Sequence, residues 1–245
     1  MRLIFLGTGG YHPNERRQTA SLLLPEQGIA LDAGTGMFRL ASKLACSELD
    51  VLLTHAHLDH IVGLTFLLVP MLKGELTRVR VYGTEETLRA VRDHLFAPAL
   101  FPVMPDFEWC PLTKSPMSFA NGVSVCWTGL DHPGGSIAYR IEAGGKSVAY
   151  VTDTTAPGRY GDFIHGVDLL VHECYFPDDM ADWAAKTGHS NSTPVAQIAR
   201  SAAVKRLVLV HADPQHPEDD PIGLDGIRKI FPNSQLAEDL GEIEI

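Results

Sequence analysis

The chain is short of basic residues, and this bears on its partners. Its 245 residues contain 20 Lys and Arg against 30 Asp and Glu, which gives a formal net charge of -10. A protein that grips a long polyanion usually neutralises many phosphates with Lys and Arg. The pairs Arg16-Arg17 and Lys205-Arg206 are short and typical of solvated surface. The charge balance therefore argues against large RNA as a partner.

The chain also lacks paired cysteines and long apolar runs. Its four cysteines are scattered and form no CxxC pair, which favours free thiols in a reducing compartment over a disulfide framework. The apolar run 3–6 is too short for a signal peptide, and no uninterrupted apolar stretch approaches the length that spans a bilayer. We therefore expect a cytoplasmic protein with no membrane partner. A hydrophobic content of 45% is enough for a sizeable core.

One short motif concentrates residues that bind metals. Four candidate ligands fall within six residues, directly after the apolar run 51–53: His55, His57, Asp59 and His60. Imidazole suits Zn²⁺ and a carboxylate adds a harder oxygen ligand, so the four can divide between two neighbouring ions. A surface His cluster or a purification tag is the plainer interpretation, but this run is internal and follows a strand-like segment.

Three more candidate ligands each follow a strand-like run. They are His132 after 123–127, Asp153 after 147–151 and His211 after 207–210. Ligands at strand ends are held on rigid elements, while the loops that follow form a cleft. Any one of them alone is more typical of a loop His or a turn Asp. The recurrence of strand followed by ligand predicts a metal site.

Five segments together resemble the metallo-β-lactamase superfamily. They are HAHLDH at 55–60, DHPGGSIAYR at 131–140, YVTDT at 150–154, GHS at 188–190 and LVLVH at 207–211. Within that superfamily the chain is most similar to the ribonuclease Z-like phosphodiesterases, over nearly its whole length. The resemblance implies an α/β fold, a four-layer αββα sandwich, in a single domain 1–245 with similar halves at roughly 1–110 and 118–245.

The resemblance also implies how the ligands are shared. His55, His57 and His132 would hold one Zn²⁺, Asp59, His60 and His211 would hold the other, and Asp153 would bridge them. Mn²⁺ or Fe²⁺ can occupy such His and Asp sites as well. Asp59 is further expected to accept a hydrogen bond from the attacking water.

A second pair of residues is implied to act in proton transfer. In the ribonuclease Z-like branch, a Glu in a His-Glu-Ala-type segment orients a His in a Gly-His-Ser or Gly-His-Thr segment, and Glu173 and His189 match them. His189 would then be the general acid that protonates the leaving alkoxide. Without the resemblance, a solvated Glu173 and an incidental His189 beside a helix-capping Ser190 are equally good interpretations. His172 receives no role.

The expected reaction is hydrolysis of a small phosphodiester by water activated between two metals. Cyclic nucleotides, cyclic ribose phosphates and short nucleic-acid ends are the candidate substrates. Ribonuclease Z enzymes carry a long tRNA-binding arm between the segments that match His132 and Asp153, but here a hairpin pattern around Gly144-Gly145 fills the interval 133–152. The arm is predicted to be absent, which argues against tRNA processing. Enzymes of this branch are commonly dimers, so a homodimer is an open expectation.

Four alternatives remain. A ribonuclease Z-like tRNA 3′ endonuclease would use the same centre, and so would a thioesterase or lactam hydrolase of the same fold. The pair of Glu173 and His189 and the segment 131–136 favour phosphodiesters over thioesters and lactams. A flavodiiron protein fits less well, because its motif has Glu at the position of His57. A non-catalytic binding member usually loses ligands, and here all seven are present.

Apolar runs and alternation predict strands and helices that alternate along the chain. The predicted strands are 3–6, 21–24, 29–32, 51–54, 78–82, 123–127, 136–142, 147–151, 168–171 and 207–210. The predicted helices are 61–73, 85–96, 193–202 and 224–230, the third with Ser192 or Thr193 as its cap and Pro194 in its first turn.

Two segments have open interpretations. Five prolines make 97–118 irregular, so this segment connects the halves. It is either a linker packed by its own aromatics or a segment that overhangs the cleft or contacts a second subunit. The Gly7–Gly10 loop is either a phosphate-binding nest or a tight turn.

Overall fold

The strands form two seven-stranded mixed sheets. The structure, a computed structural model, describes residues 1–119, 122–216 and 218–245. The first sheet contains, in spatial order, β14 (Glu242–Glu244), β1 (Arg2–Gly7), β2 (Ser21–Leu24), β3 (Ile29–Leu31), β4 (Glu48–Leu52), β5 (Arg78–Gly83) and β6 (Glu108–Pro111). The second contains β13 (Ser234–Leu236), β12 (Leu207–Val210), β11 (Leu169–Glu173), β10 (Lys146–Val151), β9 (Ser136–Ala143), β8 (Ser124–Leu130) and β7 (Met117–Ser118).

The helices are short. They are α1 (Leu58–Ile61), α2 (Leu68–Leu72), α3 (Glu85–Ala90), α4 (Ala181–Thr187), α5 (Ser192–Ser201) and α6 (Leu224–Ile230). Turns of 3₁₀ helix lie at Thr35–Ser42, Val62–Leu67 and Asp178–Met180, and a π-helical turn lies at Val91–Leu95. In the described part of the chain, no helix has the length and apolar character needed to cross a bilayer.

The packing is the predicted αββα sandwich. Side chains alternate along a strand, so Leu3 and Phe5 of β1 face the second sheet while Ile4 and Leu6 face the helices. Because both faces of β1 are buried, its sequence is a continuous run of apolar residues. One core lies between the sheets, and a further core lies under the helices on the outer face of each sheet.

Strand direction decides where the strand-end residues meet. The strands β3 to β6 run parallel to one another in the first sheet, as do β10 to β13 in the second. The carboxyl ends of parallel neighbours lie at the same edge of a sheet, and ligands in open α/β sheets bind outside that edge. The strand β14 follows the strands of the second sheet in the chain but pairs with β1 in the first sheet. The sequence pattern does not predict this pairing.

Two predicted helices are interrupted. The segment predicted as one helix over 61–73 consists of α1, a 3₁₀ turn and α2, which contains Pro70. Proline has no N–H to donate to the preceding turn, so a regular helix cannot run through it unbroken. The helix predicted over 85–96 is α3 followed by the π-helical turn.

The predicted cap of the third helix was wrong. Helix α5 begins at Ser192, and neither Ser192 nor Thr193 caps it with its own side chain. Asp178 accepts hydrogen bonds from the backbone N–H of Thr193 at 2.8 Å and from its hydroxyl at 2.6 Å. A carboxylate from another segment therefore satisfies a free N–H of the first turn, and Pro194 lies in that turn.

Aromatic side chains pack within and beside the Pro-rich segment. Phe96 packs edge-on against Phe101 at 5.4 Å and Phe107 at 5.8 Å, and Phe107 packs likewise against Trp109 at 5.6 Å between ring centroids. The segment adds one edge strand to each sheet, β6 and β7, a position where prolines are tolerated. No residue of 97–118 lines the main cleft described below, so the segment does not overhang it.

Candidate metal centre

Three residues at the ends of strands adopt a rare backbone conformation. Asp32 follows β3, Asp153 follows β10 and His211 follows β12, with φ values of 56°, 45° and 61°. This left-handed region is uncommon for residues other than glycine. It costs on the order of 1–3 kcal/mol per residue and tends to occur at functional sites. All three side chains are buried.

The first ligand group contains three of the predicted histidines. One atom from each of His55, His57, His132 and Asp153 lies within 4.8 Å of the others. Asp153 Oδ2 lies 3.5 Å from His55 Nε2 and 3.7 Å from His132 Nε2. The sequence segments 55–60, 131–140 and 150–154 therefore meet at one point.

The second ligand group lies on the other side of the same aspartate. Asp59, His60 and His211 also have ligand atoms within 4.8 Å of one another. Asp153 Oδ1 lies 3.3 Å from His60 Nε2 and 3.2 Å from His211 Nε2. The two oxygens of Asp153 thus face different groups, which is the arrangement a bridging ligand requires.

Hydrogen bonds behind the ligands fix which nitrogen faces the centre. His60 Nδ1–H donates to Asp32 Oδ2 at 2.8 Å, and His132 Nδ1–H donates to the Gly188 carbonyl at 2.9 Å. Carboxylate and carbonyl oxygens only accept, so each Nδ1 carries a proton and each Nε2 is the nitrogen that faces the centre. A second partner of this kind is what orients a metal-ligating histidine.

Asp32 is a residue of the candidate site for which the sequence predicted no role. It is fully buried and accepts hydrogen bonds from the Thr54 backbone N–H at 2.8 Å and from the Tyr150 hydroxyl at 3.0 Å, besides His60. The Thr54 hydroxyl donates to it as well and accepts in turn from His55 Nδ1 at 3.0 Å. Its position directly after a strand was the signal that could have identified it, since the ligands share that pattern.

The electrostatics of the centre favour a cation. Burial lowers the pKa of His55, of His57 and of His132, which leaves these imidazoles neutral and able to ligate. Burial would also lower the pKa of His60, but the carboxylates of Asp153, Asp59 and Asp32 raise it well above its usual value. The carboxylates of the second group therefore favour a positive charge at the position that its ligand atoms surround.

One buried nitrogen supports the same conclusion. His55 Nε2 is inaccessible to solvent and has no hydrogen-bond partner among the described residues. A buried polar atom without a partner is costly, and a metal ion is one group that satisfies a ring nitrogen here. The donor set of five imidazoles and two carboxylates fits divalent metals that accept mixed nitrogen and oxygen ligands.

The Gly7–Gly10 loop is neither a phosphate-binding nest nor a tight turn, because Gly7 ends β1 and Gly9 forms isolated β-bridges to Thr19 and Ala212. The N–H groups of Thr8, Gly9 and Gly10 donate to Asp239, Gln18 and Ala212, so none of them faces the cleft. Gly10 is required for a close approach instead. A Cβ on it would lie 2.5 Å from His211 Cε1 and 2.8 Å from Tyr175 Cε2.

We expect Gly10→Ala to weaken only one half of the centre. The added methyl group must displace His211, which belongs to the second group, and its three nearest atoms belong to His211 and Tyr175, not to the first group. Metal titration followed by calorimetry should show one of two binding steps weakened about 10- to 100-fold, the range seen when ligand orientation is disturbed. Gly129→Ala, with nothing within 4 Å of the new methyl group, is the matched control. Equal weakening of both steps would contradict this assignment.

The predicted pair of Glu173 and His189 is in hydrogen-bond contact. His189 Nδ1–H donates to Glu173 Oε1 at 3.1 Å. Glu173 is fully buried and also accepts from the N–H groups of Thr154 at 2.8 Å and Ser190 at 3.1 Å. Burial lowers the pKa of His189, but the Glu173 carboxylate raises it more, to about 9. The interpretation of Glu173 as a solvated surface charge was therefore wrong.

His189 also lies close to the ligand groups. One of its ring nitrogens is within 4.8 Å of ligand atoms of Asp153 and His211, and its ring stacks on that of Tyr175 at 4.7 Å between centroids. Because Nδ1 is bonded to Glu173, Nε2 is the nitrogen left to face the cleft. The geometry therefore permits two roles, a proton donor or a further ligand.

A cleft of about 680 Å³ opens over the centre. Its floor includes His57, Asp59, His132, Asp153, His189 and His211, and its walls include Tyr11, Tyr175, Trp183 and Asp213. This volume falls in the range of small-molecule sites, which bury most of a ligand in a concave, mainly apolar surface.

Comparison with known proteins identifies the family. The model of the β-lactamase superfamily domain matches residues 28–212, which is more than half of the chain. The chain belongs to the β-lactamase superfamily. Its fold, its His and Asp clusters and its relatives are those of the metal-dependent hydrolases of this superfamily.

Relatives of this β-lactamase-superfamily chain place it in the ribonuclease Z-like branch. Ribonuclease Z of Archaeoglobus fulgidus is 24% identical over 299 aligned positions, which cover 100% of this chain and 97% of that protein. Ribonuclease Z of Methanosarcina acetivorans is 28% identical, with 100% and 98% covered. The predicted superfamily and branch are thus confirmed.

Solved structures agree on the fold. The metallo-β-lactamase fold protein YhfI from Bacillus subtilis superposes with a TM-score of 0.81 at 22% identity, covering 100% of this chain and 99% of that one. The short form of human tRNase Z gives 0.76 at 23%, covering 100% and 99%. A diphosphatase from the PhnP family gives 0.75 at 21%, covering 100% and 97%. At these identities the likeness shows the fold alone.

Proposed function

We propose that this hydrolase is a dinuclear-zinc phosphodiesterase that acts on a small phosphodiester. The observation that carries the proposal is the pair of Glu173 and His189 beside two ligand groups that share Asp153. A pair of bound divalent ions would supply a nucleophilic water near neutral pH and neutralise charge on the phosphoryl oxygens. His55, His57 and His132 would hold one ion, Asp59, His60 and His211 would hold the other, and Asp153 would contact both.

Residues of the chain would orient the attacking water and protonate the leaving oxygen. Tyr11 donates its backbone N–H to Asp59 Oδ2 at 2.8 Å, which holds that carboxylate at the floor of the cleft. Asp59 is then placed both to ligate and to accept a hydrogen bond from the attacking water. His189 Nε2 would give its proton to the leaving oxygen, and Glu173 would keep the ring oriented and charged for that transfer.

Two observations support a small substrate. None of the residues that line the cleft in the described part of the chain is Lys or Arg, so no side chain there could neutralise the further phosphates of a polynucleotide. The interval between His132 and Asp153 is taken up by β9 and β10, joined directly by Gly144-Gly145. The alignment with the ribonuclease Z of Archaeoglobus fulgidus is longer than this chain, in agreement with a missing insertion.

A second candidate function is tRNA 3′ endonuclease activity of the ribonuclease Z type. It is favoured by curated relatives named ribonuclease Z that align with the chain along its whole length. The same centre would serve it, and the two functions differ in what binds outside the centre.

Hydrolysis of a substrate panel by metal-quantified protein separates the candidates. The panel contains bis(p-nitrophenyl) phosphate, 2′,3′- and 3′,5′-cyclic nucleotides, a tRNA precursor, a glutathione thioester and a β-lactam. We expect turnover of the small phosphodiesters and none of the last two. Cleavage of the tRNA precursor alone would favour the second candidate. Turnover of only the thioester or the lactam, or stoichiometric metal with no turnover at all, would overturn both.

A further inference from the structure

One wall of the cleft is aromatic and remains unexplained by the chemistry of the metal centre. Tyr175, Phe176 and Ala184 pack together, with Met180 against them. Trp183 lies next to this cluster in the chain and lines the cleft, yet its side chain is 52% exposed. The wall comes from the loop after β11, the 3₁₀ turn Asp178–Met180 and α4.

Helix α4 contributes little to the stability of the fold. Ala184 is the one residue of α4 that is buried. The helix ends at Gly188, which has φ of 76° and whose carbonyl accepts the hydrogen bond from His132. A helix with one buried side chain is held mainly by its ends, so the position of Trp183 is not explained by core packing.

The helix is nevertheless fixed relative to the reacting groups. Gly188 leads directly into His189, and a Cβ at Gly188 would lie 2.4 Å from Pro133 Cδ, beside His132. Trp183 is therefore held on the side of the cleft where His189 would meet the leaving oxygen. A group bound against the Trp183 ring would belong to the same small molecule as the phosphodiester at the metals.

The charge of the wall restricts what that group is. Among the described residues that line the cleft, the charged or titratable ones are His, Asp and Tyr, and none of them is Lys or Arg. An anionic group, such as a second phosphate, would meet the charged ring of His189 beside the metals but no Lys or Arg side chain in the lining. A flat uncharged ring would stack on Trp183, and such stacking contributes about 1–3 kcal/mol per base in nucleic-acid complexes.

We propose that the wall formed by Tyr175, Phe176, Met180 and Trp183 is a subsite for a nucleobase, so that the substrate is a mononucleotide-type phosphodiester and not a bare ribose phosphate. This proposal rests on the proposed phosphodiesterase function. Trp183 is its specificity-determining residue. Lys186, whose ammonium lies 4.6 Å from the centre of the Trp183 ring, is absent from the cleft lining and covers the ring from outside.

A matched pair of substrates tests the subsite. Adenosine 2′,3′-cyclic phosphate and 1-O-methylribose 2,3-cyclic phosphate share the reacting ring and the leaving alcohol and differ in the base. We expect the wild-type protein to prefer the nucleotide by about 10- to 100-fold in kcat/KM, as one stacked base predicts. Trp183→Ala should reduce this preference to less than about threefold, chiefly by raising KM for the nucleotide. Lys186→Ala, which keeps the ring, should retain the preference.

Fluorescence gives a readout that does not depend on turnover. The chain has three tryptophans, and adenosine 5′-monophosphate should quench the emission of Trp183 when the base stacks on it. Trp183→Phe should abolish most of that quenching while retaining part of the kinetic preference. Equal rates for the two cyclic compounds, or equal quenching in Trp183→Phe, would overturn the subsite even if both compounds are hydrolysed. Failure to hydrolyse any phosphodiester, with quenching intact, would instead overturn the proposed function.

Discussion

His189→Ala should slow hydrolysis of alkyl phosphodiesters about 10²- to 10⁴-fold, the usual contribution of a positioned proton donor. The physical reason is the leaving group. An alkoxide is too basic to leave without a proton, and His189 is the group placed in the cleft with a buried carboxylate, Glu173, behind it at 3.1 Å. The measurement is kcat on a cyclic nucleotide for the wild type and the variant.

The same variant should hardly affect a substrate that needs no proton donor. p-Nitrophenolate leaves as a stable anion, so His189→Ala should slow bis(p-nitrophenyl) phosphate less than about tenfold. Metal content must be measured alongside, because His189 also lies within ligand distance of Asp153 and His211. Equal losses on both substrates together with a lost metal ion would show that His189 is a ligand. Glu173→Gln, which keeps an acceptor but removes the charge, should fall between the wild type and His189→Ala.

The elements that the sequence predicted well are those whose apolar pattern extends over both faces. The strand β1 is recognisable because Leu3 to Leu6 are all buried, alternately in two cores. The edge strands β13 and β14 were missed for the opposite reason. In β14 only Ile243 is buried, between two exposed glutamates, and this pattern does not differ from that of a loop.

The cluster of candidate ligands was predictable for a similar reason, and the residues that hydrogen-bond to it were not. The motif at 55–60 and the three strand-end residues carry their chemistry in residue type and position, and the structure brings all seven together around Asp153. The role of Asp32 depends on donors from Thr54, His60 and Tyr150, which only the folded chain brings together. Trp183 lies on a helix with a single buried residue, so no apolar periodicity marked that helix.

The cap of α5 illustrates the same limit on a smaller scale. Ser192 and Thr193 are residue types that cap helices, and Pro194 is typical of a first turn. Asp178 took the capping role because the 3₁₀ turn at Asp178–Met180 lies beside the start of α5. Local sequence predicted where the helix begins, while the partner of its first N–H groups was decided by tertiary contact.

Asp153→Asn should have the largest effect on the centre, because one carboxylate faces both ligand groups. Its Oδ1 lies near His60 and His211 and its Oδ2 near His55, and the side chain is buried. Burial raises the pKa of Asp153, but the neighbouring histidines lower it well below its usual value, so the group is the anion. Asparagine removes that charge and turns an N–H₂ toward one group, where it repels a cation.

The expected result for Asp153→Asn is loss of bound metal together with loss of turnover. Metal per chain should fall from about two to less than one, and phosphodiester hydrolysis by about 10³-fold or more, since bound metals supply several kcal/mol of charge stabilisation. Added Zn²⁺ should raise the Tm of the wild type by mass action and leave that of the variant nearly unchanged. Asp131→Asn, which removes an exposed acidic charge one residue before His132, is the matched control and should behave as the wild type. An Asp153→Asn protein that kept two metals and normal turnover would show that the two groups bind their ions without a shared ligand.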